Sequence, residues 1–473
     1  MSTPYDEVPY SSLPYAETHP DRLRLVAHLF HLAPAPVERC RVLEIGCSAG
    51  GNLIPMAEAL PESRFLGVDL AATAVAAGQD TVRALGLANI ELRHLDLVDF
   101  PRDAGEFDYI LCHGVYSWVP DPVKAALLDL VGRHLAPDGV AYISHNVKPG
   151  WFHRVMAREM MQIHSAGTAE PHAKLVQSRA LIEFVAEHAD DKDFKGVVGT
   201  QNEIISRQPD WLLYHDYLGA VNDGCWFHEM VEELGRRGLA FLGDADVASM
   251  LPRCSADAKA TLQRIAPDIV RHEQYLDFLN DRAFRMTLAV RADHKVDRNL
   301  HRDQIRDLHL CARLSLGDDG KFRTRRGTEI GAGRPQTHAA LRALADRAPA
   351  SMHFSELAAA VGGVETDLAD DLMYCFLERV VEASLTPARC AARAGARPRV
   401  PAHVRHQATR GVFVTNLRHE NIKLSFDIAS LLPLLDGTRD RAALVELMEP
   451  GEREPAAVDW ILDKLASHAL LLC

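Results

Sequence analysis

At 473 residues, 47% of them hydrophobic and 25% charged, the chain has a globular composition but is too long for one ordinary core, so roughly two to four domains are expected. Its formal net charge of -13 argues against broad nucleic-acid binding, which needs a basic surface to neutralise phosphates, and suits a neutral or lysine-rich partner. No run of ~18 or more apolar residues appears, so no membrane span is expected, and the polar, Tyr- and Pro-rich segment 1–20 lacks the charged start and apolar stretch expected of a secretory signal.

In chain order, Asp21 to His31 has the apolar spacing of an amphipathic helix, through Leu25, Leu29 and Leu32. Short apolar runs then alternate with helical patterns, as a parallel α/β sheet requires. Strands are predicted at 41–45, 64–69, 90–94, 107–112 and 139–144, with helices at 53–60, 71–85 and 123–134. From Phe152 the pattern turns helical, at 154–166 and 171–189, and Asp190-Asp191-Lys192-Asp193 reads as a polar break. A second helical block starts at Trp226, followed by a short strand at 239–242, helices at 256–265 and 271–282, and a strand at 284–290. Residues 327–335 read as a turn or linker. Helices near 337–347, 355–361 and 366–379 form a further unit, and the Pro- and Arg-rich stretch 394–401 precedes a last helical section.

The nine cysteines are dispersed, odd in number and never spaced C-x-x-C, which disfavours a disulfide framework or a zinc site and fits a reducing cytoplasm. Chemistry concentrates instead at Glu44-Ile45-Gly46-Cys47-Ser48-Ala49-Gly50-Gly51, a strand end leading into a helix that starts near Asn52. Glycines there let the backbone approach a ligand and adopt positive φ, and the helix N-terminus favours an anionic or polar group. A dinucleotide loop would want glycine at 48, where this chain has Ser48. The Glu-x-Gly-x-x-x-Gly pattern resembles the first motif of class I S-adenosyl-L-methionine (AdoMet) methyltransferases. Three further landmarks follow in the right order. Asp69, followed by Leu70, closes the second strand, where a carboxylate can accept ribose hydroxyls. Asp96 and Leu97 follow the third strand, at the adenine position of such enzymes. His113-Gly114-Val115-Tyr116-Ser117-Trp118 follows the fourth, where ligands bind over strand ends.

The opening motif Tyr5-Asp6-Glu7-Val8-Pro9-Tyr10, with Pro14-Tyr15 and His19-Pro20-Asp21-Arg22-Leu23, is more particular. Together with the cofactor loop it resembles bacterial protein-lysine methyltransferases first associated with rickettsial outer-membrane proteins. Tyr214 to Leu218 through Phe227-His228-Glu229, Tyr275 to Arg285 and Leu431 to Arg439 extend that resemblance over nearly the whole chain. It implies a Rossmann-like core with an N-terminal lid (1–152), a helical insertion used for homodimerisation (153–213), a regulatory middle domain (214–330) and a C-terminal winged-helix-like domain (331–473). It also implies a protein lysine as substrate, on a surface protein such as an outer-membrane protein that is modified in the cytoplasm before export.

Methyl transfer is an in-line displacement, so catalysis is chiefly positioning, and a lysine amine (reference pKa ~10.4) must first lose its proton. Aromatic faces stabilise sulfonium and alkylammonium cations. The expected catalytic residues are therefore Tyr10, Tyr15, Tyr116 and Trp118, with no dedicated base. The expected cofactor-binding residues are Tyr5, Tyr15, His19, Glu44, Gly46, Cys47, Gly50, Asn52, Leu53, Asp69, Leu70, Asp96, Leu97, His113 and Gly114. No metal, nucleic acid or membrane insertion is expected. Two other uses of the same core stay open on the sequence: methylation of a small molecule or another protein atom, and an AdoMet-sensing regulatory module.

Overall fold

The computed structural model describes residues 8, 10–325, 327–331, 333–448 and 454–473. Its centre is a sheet whose first five strands run parallel: β1 (Arg41–Ile45), β2 (Arg64–Asp69), β3 (Ile90–His94), β4 (Phe107–Cys112) and β5 (Leu135–Val147). β1 and β4 are apolar on both faces because helices cover both sides, as parallel strands require. Val42, Tyr109 and Leu111 enter one core cluster, while Leu43, Ile45 and Ile110 enter the other. The crossover helices are Leu53–Ala59, Ala72–Leu85 and Asp121–His134. Gly86, at φ 65°, ends the second in the left-handed conformation that a helix terminus favours.

β5 is longer than the apolar run 139–144 that predicts it. Ser144, His145 and Asn146 look like a strand end in sequence, yet they are buried and satisfied: His145 Nε2 lies 2.9 Å from Thr287 Oγ1, and the Asn146 side chain donates to Asn222 at 2.8 Å. The chain then leaves the sheet for four helices, Trp151–Ser165, Pro171–His188, Lys192–Arg207 and Asp210–Leu218, with their own core around Met161, Ile182, Val198 and Leu213. The acidic run at 190–193 starts a helix there: the Asp191 carboxylate accepts the Phe194 N–H at 2.8 Å and caps Lys192–Arg207.

The chain returns to the same sheet. β6 (Gly224–Cys225) pairs with β5, and β7 (Leu239–Asp244) and β8 (Phe284–Arg291) complete the order β3-β2-β1-β4-β5-β8-β7, with β8 antiparallel to both neighbours. Arg285 on β8 is fully buried, and its guanidinium meets Asp277 at 2.8 Å and Glu273 at 3.0 Å. Helices Pro335–Arg347, Phe354–Val361 and Glu365–Leu377 pack into the apolar cluster that also holds Leu25 and Leu29. Within 327–335, Glu329–Ile330 pairs with Phe322–Thr324, so part of this turn region is strand. The last section has its own core, built on Ala402–Ala408, the hairpin Phe413–Thr415/Asn421–Lys423 and Pro455–Ser467. Among the described residues no helix is long and apolar enough to cross a membrane.

Candidate active site

Strand order reverses between β1 and β4, and a ligand crevice is expected over the carboxyl ends of these strands. The predicted loop lies there. Gly46 sits at φ 81°, where a Cβ would come within 2.4 Å of Val115 Cγ2, so only glycine fits without displacement. Ser48 takes φ 49°, and its N–H donates to Asp69 Oδ2 at 2.7 Å, while Asp69 Oδ1 accepts the Ala71 N–H at 2.8 Å. Asp69 thus braces the loop and keeps further lone pairs on both oxygens. Asp96 accepts the Val98 N–H at 3.1 Å, and Leu70 is 52% exposed beside Asp69.

Glu44 is buried. Its Oε1 accepts the Asn52 side chain at 2.7 Å, but its Oε2 has no hydrogen-bond partner among the described residues. Burial, opposed by the Asn52 hydrogen bond, pushes its carboxyl up to about 8. Asn52 occupies a helix N-cap position without capping it. Its Oδ1 instead accepts the Tyr15 N–H at 3.0 Å, and its amide also donates to Thr18 Oγ1 at 2.9 Å. The N-terminal arm therefore lies against the cofactor loop, and Ser12 Oγ accepts the Gly51 N–H at 2.8 Å.

The Tyr15 ring covers His113, with centroids 3.8 Å apart, and His113 Nδ1 lies 2.9 Å from the Tyr142 hydroxyl. Burial lowers His113 to about 4 and raises the Tyr15 phenol to about 12, so both are neutral near pH 7. The Gly114 N–H donates to Ser144 Oγ at 2.8 Å, which pins this loop to β5. Tyr10 meets Trp211 edge-on at 4.6 Å, and His215 Nε2 donates to the Val8 carbonyl at 2.7 Å. The arm thus rests on the helix Asp210–Leu218. From that helix the partly buried Asp216 comes within hydrogen-bonding reach of Trp118 and within electrostatic range of Tyr15.

The other expected site residues divide. His19 caps the helix Pro20–Leu29 through Nδ1, which accepts the Asp21 N–H at 3.2 Å, and burial lowers it to about 4. The side chains of Cys47 and Leu53 enter the apolar core, leaving only their backbone for a ligand. Leu97 packs on the other core cluster. Gly50, at φ 73°, turns the loop beneath Leu92. Tyr116 does not join Tyr15: it is buried in the core and borders a side cavity of about 670 Å³ with Lys124, Trp151 and Cys225. Its position on a short 3-10 turn with Trp118 sends the two rings to different places. Tyr5 lies outside the described residues.

Three family models match successive parts of the chain: "Methyltransferase domain" at 42–139, "Predicted methyltransferase regulatory domain" at 209–291 and "PKMT, C-terminal winged helix domain" at 396–454. Uncharacterized protein RP789 of Rickettsia prowazekii is 32% identical over 471 residues, covering 94% of this chain and 85% of that protein. Among solved structures, PKMT2 from Rickettsia typhi in complex with AdoHcy is 27% identical, with a TM-score of 0.87, over 98% of this chain and 100% of that one. This chain belongs to the PKMT family of AdoMet-dependent methyltransferases. A second R. prowazekii protein, RP028, is 38% identical over 240 residues, covering 50% of this chain and 96% of that protein.

The PKMT-family assignment makes AdoMet the cofactor, and the residues present suit it. A buried carboxyl oxygen without a partner at Glu44 matches the α-ammonium of its methionine part, and Asp69 matches its ribose. When bound, AdoMet supplies an electrophilic methyl group on a sulfonium. Ser12, Thr18 and Asp216 escaped the sequence reading. Isolated serine, threonine and aspartate carry no spacing signal, although Asp216 stands inside the Tyr214 to Leu218 motif.

Proposed function

We propose that this enzyme methylates lysine side chains of a protein, and that the mouth formed by Tyr10, Tyr15, Trp118 and Asp216 receives the amine. The observation that carries the reading is the Asp216 carboxylate, which neighbours the Trp118 indole and the Tyr15 phenol, with Arg154 and Arg158 offsetting part of its charge. Asp216 attracts the ammonium, and the aromatic faces accept an alkylammonium cation while shedding its water. Desolvation favours the neutral amine that attacks. The neutral Tyr15 phenol is an acceptor for its N–H, so no dedicated base is required. Glu44, Gly46, Asp69, Asp96 and His113 are assigned to the cofactor, with Leu70 against the adenine. The PKMT designation of the R. typhi structure and the net charge of -13 both fit a lysine-bearing protein rather than nucleic acid.

The reading extends to a cytoplasmic homodimer formed through the insertion 153–213, whose helices expose Ile163 (78%), Val176 (52%) and Phe184 (59%). The same reading divides the chain into a core (1–152) whose sheet a regulatory unit (214–330) completes with β6, β7 and β8, and a winged-helix unit (331–473). The decisive experiment incubates the enzyme with methyl-labelled AdoMet and a whole-cell lysate, followed by peptide mass spectrometry. Methyl-lysine in a protein is the expected result. Label confined to small solutes or to other protein atoms refutes the lysine reading, and no transfer at all favours an AdoMet sensor.

A further inference from the structure

The C-terminal section reaches the cofactor loop through the His419 side chain. His419 lies in the turn between strands Phe413–Thr415 and Asn421–Lys423, is buried, and takes φ 61°, a conformation that L residues seldom adopt. Its Nε2 stands 2.6 Å from Asn52 Oδ1, across 367 positions of sequence. The direction of this hydrogen bond follows from the neighbours. The Tyr15 backbone N–H can only donate, so the Asn52 atom that it meets at 3.0 Å is the carbonyl oxygen, and His419 must donate as well. The amide nitrogen is then left to donate to Glu44 Oε1 at 2.7 Å.

The turn that presents His419 is braced independently. Asn416 Oδ1 accepts the N–H groups of Arg418 and Glu420 at 2.9 and 2.8 Å, and Arg313 grips the Glu420 carboxylate at 2.9 and 2.6 Å. A second clamp lies at the far end of the helix that follows Asn52. There Glu58 accepts the N–H groups of Ala402 and His403 at 2.7 and 2.8 Å. Such braces hold a strained backbone in place, and strain of this kind points to a function for the residue that bears it.

We propose that His419 is a positioning residue for the cofactor site: it sets the orientation of Asn52, and through it the Glu44 carboxyl and the Tyr15 backbone, so that the C-terminal section is a working part of AdoMet binding. The proposal concerns cofactor affinity and does not depend on which substrate is methylated. It is therefore read with no methyl acceptor present, by calorimetry of the full chain with AdoHcy and with AdoMet. His419→Ala is expected to weaken both about tenfold to a hundredfold, the range for loss of one buried hydrogen bond. His419→Gln, which keeps an N–H donor, is expected to recover most of the loss, which a purely structural role does not predict. In the double variant with Asn52→Ala, the second substitution should add little to the first. Unchanged affinity in His419→Ala, equal losses in the Ala and Gln variants, or effects that simply multiply would each overturn the proposal. Should His419→Ala fail to fold, 15N-histidine NMR of the wild type near pH 7 still decides. A His419 ring carrying a proton on Nε2 is expected, and a neutral ring protonated only at Nδ1 refutes it.

Discussion

Replacing Glu44 by Gln tests whether the site keeps an acid there for its charge, at a cost to the cofactor-free fold. Burial is the main cause that raises this carboxyl from its ordinary 4.5 to about 8, with Asn52 lowering and Asp69 raising it further. Because the folded pKa is raised, the stability contributed by the neutral form is complete below about pH 4.5 and is lost as pH rises through about 8. Linkage then puts the penalty, relative to a neutral side chain of the same shape, below about 1 kcal/mol near pH 5, at about 3 kcal/mol near pH 7 and at about 5 kcal/mol near pH 9. Gln retains an acceptor for Asn52 and brings an amide to the position of the unpartnered oxygen. At about 2–4 °C per kcal/mol for a large domain, the Gln variant without cofactor should melt roughly 6–12 °C above wild type near pH 7. Differential scanning fluorimetry near pH 5, 7 and 9 measures this, and the advantage must grow with pH. AdoMet affinity should move the other way, since the variant has no carboxylate for the α-ammonium. An offset equal at all three pH values, or a variant less stable than wild type near pH 9, refutes the reasoning.

Asp69→Ala removes both the brace on Ser48 and the ribose acceptor, so calorimetry should show AdoMet affinity falling about a hundredfold; a loss under about threefold would assign Asp69 to the loop alone. Gly46→Ala pushes a methyl group against Val115 at positive φ and should cost about 1–3 kcal/mol in denaturant unfolding, part of which Val115→Ala restores. Arg285→Met strips the buried Glu273 of its ion-pair partner and leaves Asp277 only the Arg282 guanidinium at 3.3 Å, and should cost about 3–5 kcal/mol, seen as a lower melting temperature or insoluble expression; a melting temperature equal to wild type would show that Glu273 is neutral.

The first four strands were legible to the residue, because apolar runs between glycine- and charge-marked turns have few other readings. Polar residues hid structure elsewhere. The fifth strand was read to end at Ser144, with His145 and Asn146 beyond it, although Thr287 on β8 and Asn222 satisfy those two side chains within the strand. Asp191 read as a break because an N-cap and a loop use the same residue types. In the site, Glu44, Gly46 and Asp69 announce themselves by spacing along one strand-helix-strand unit. Asp216 and His419 are delivered by remote segments, and no local pattern ties them to the loop. Tyr116 and Trp118 show the converse limit: two aromatics a residue apart are equally visible in sequence, but a tight turn sends only one towards Asp216.

The long β5 has neighbours on both sides, β4 on one and β8 on the other, and β8 arrives only after the whole helical excursion. A gene fragment stopping near residue 150 would leave a row of unpaired amides and carbonyls along β5, which invites strand addition between copies. The catalytic sheet therefore cannot be trimmed to a minimal enzyme at the end of its parallel half. The excursion, by contrast, starts and returns beside the same strand, so its helices can lengthen, shorten or change face without altering a single sheet register. Descent can thus retune what the enzyme reaches while the chemistry beneath it stays fixed.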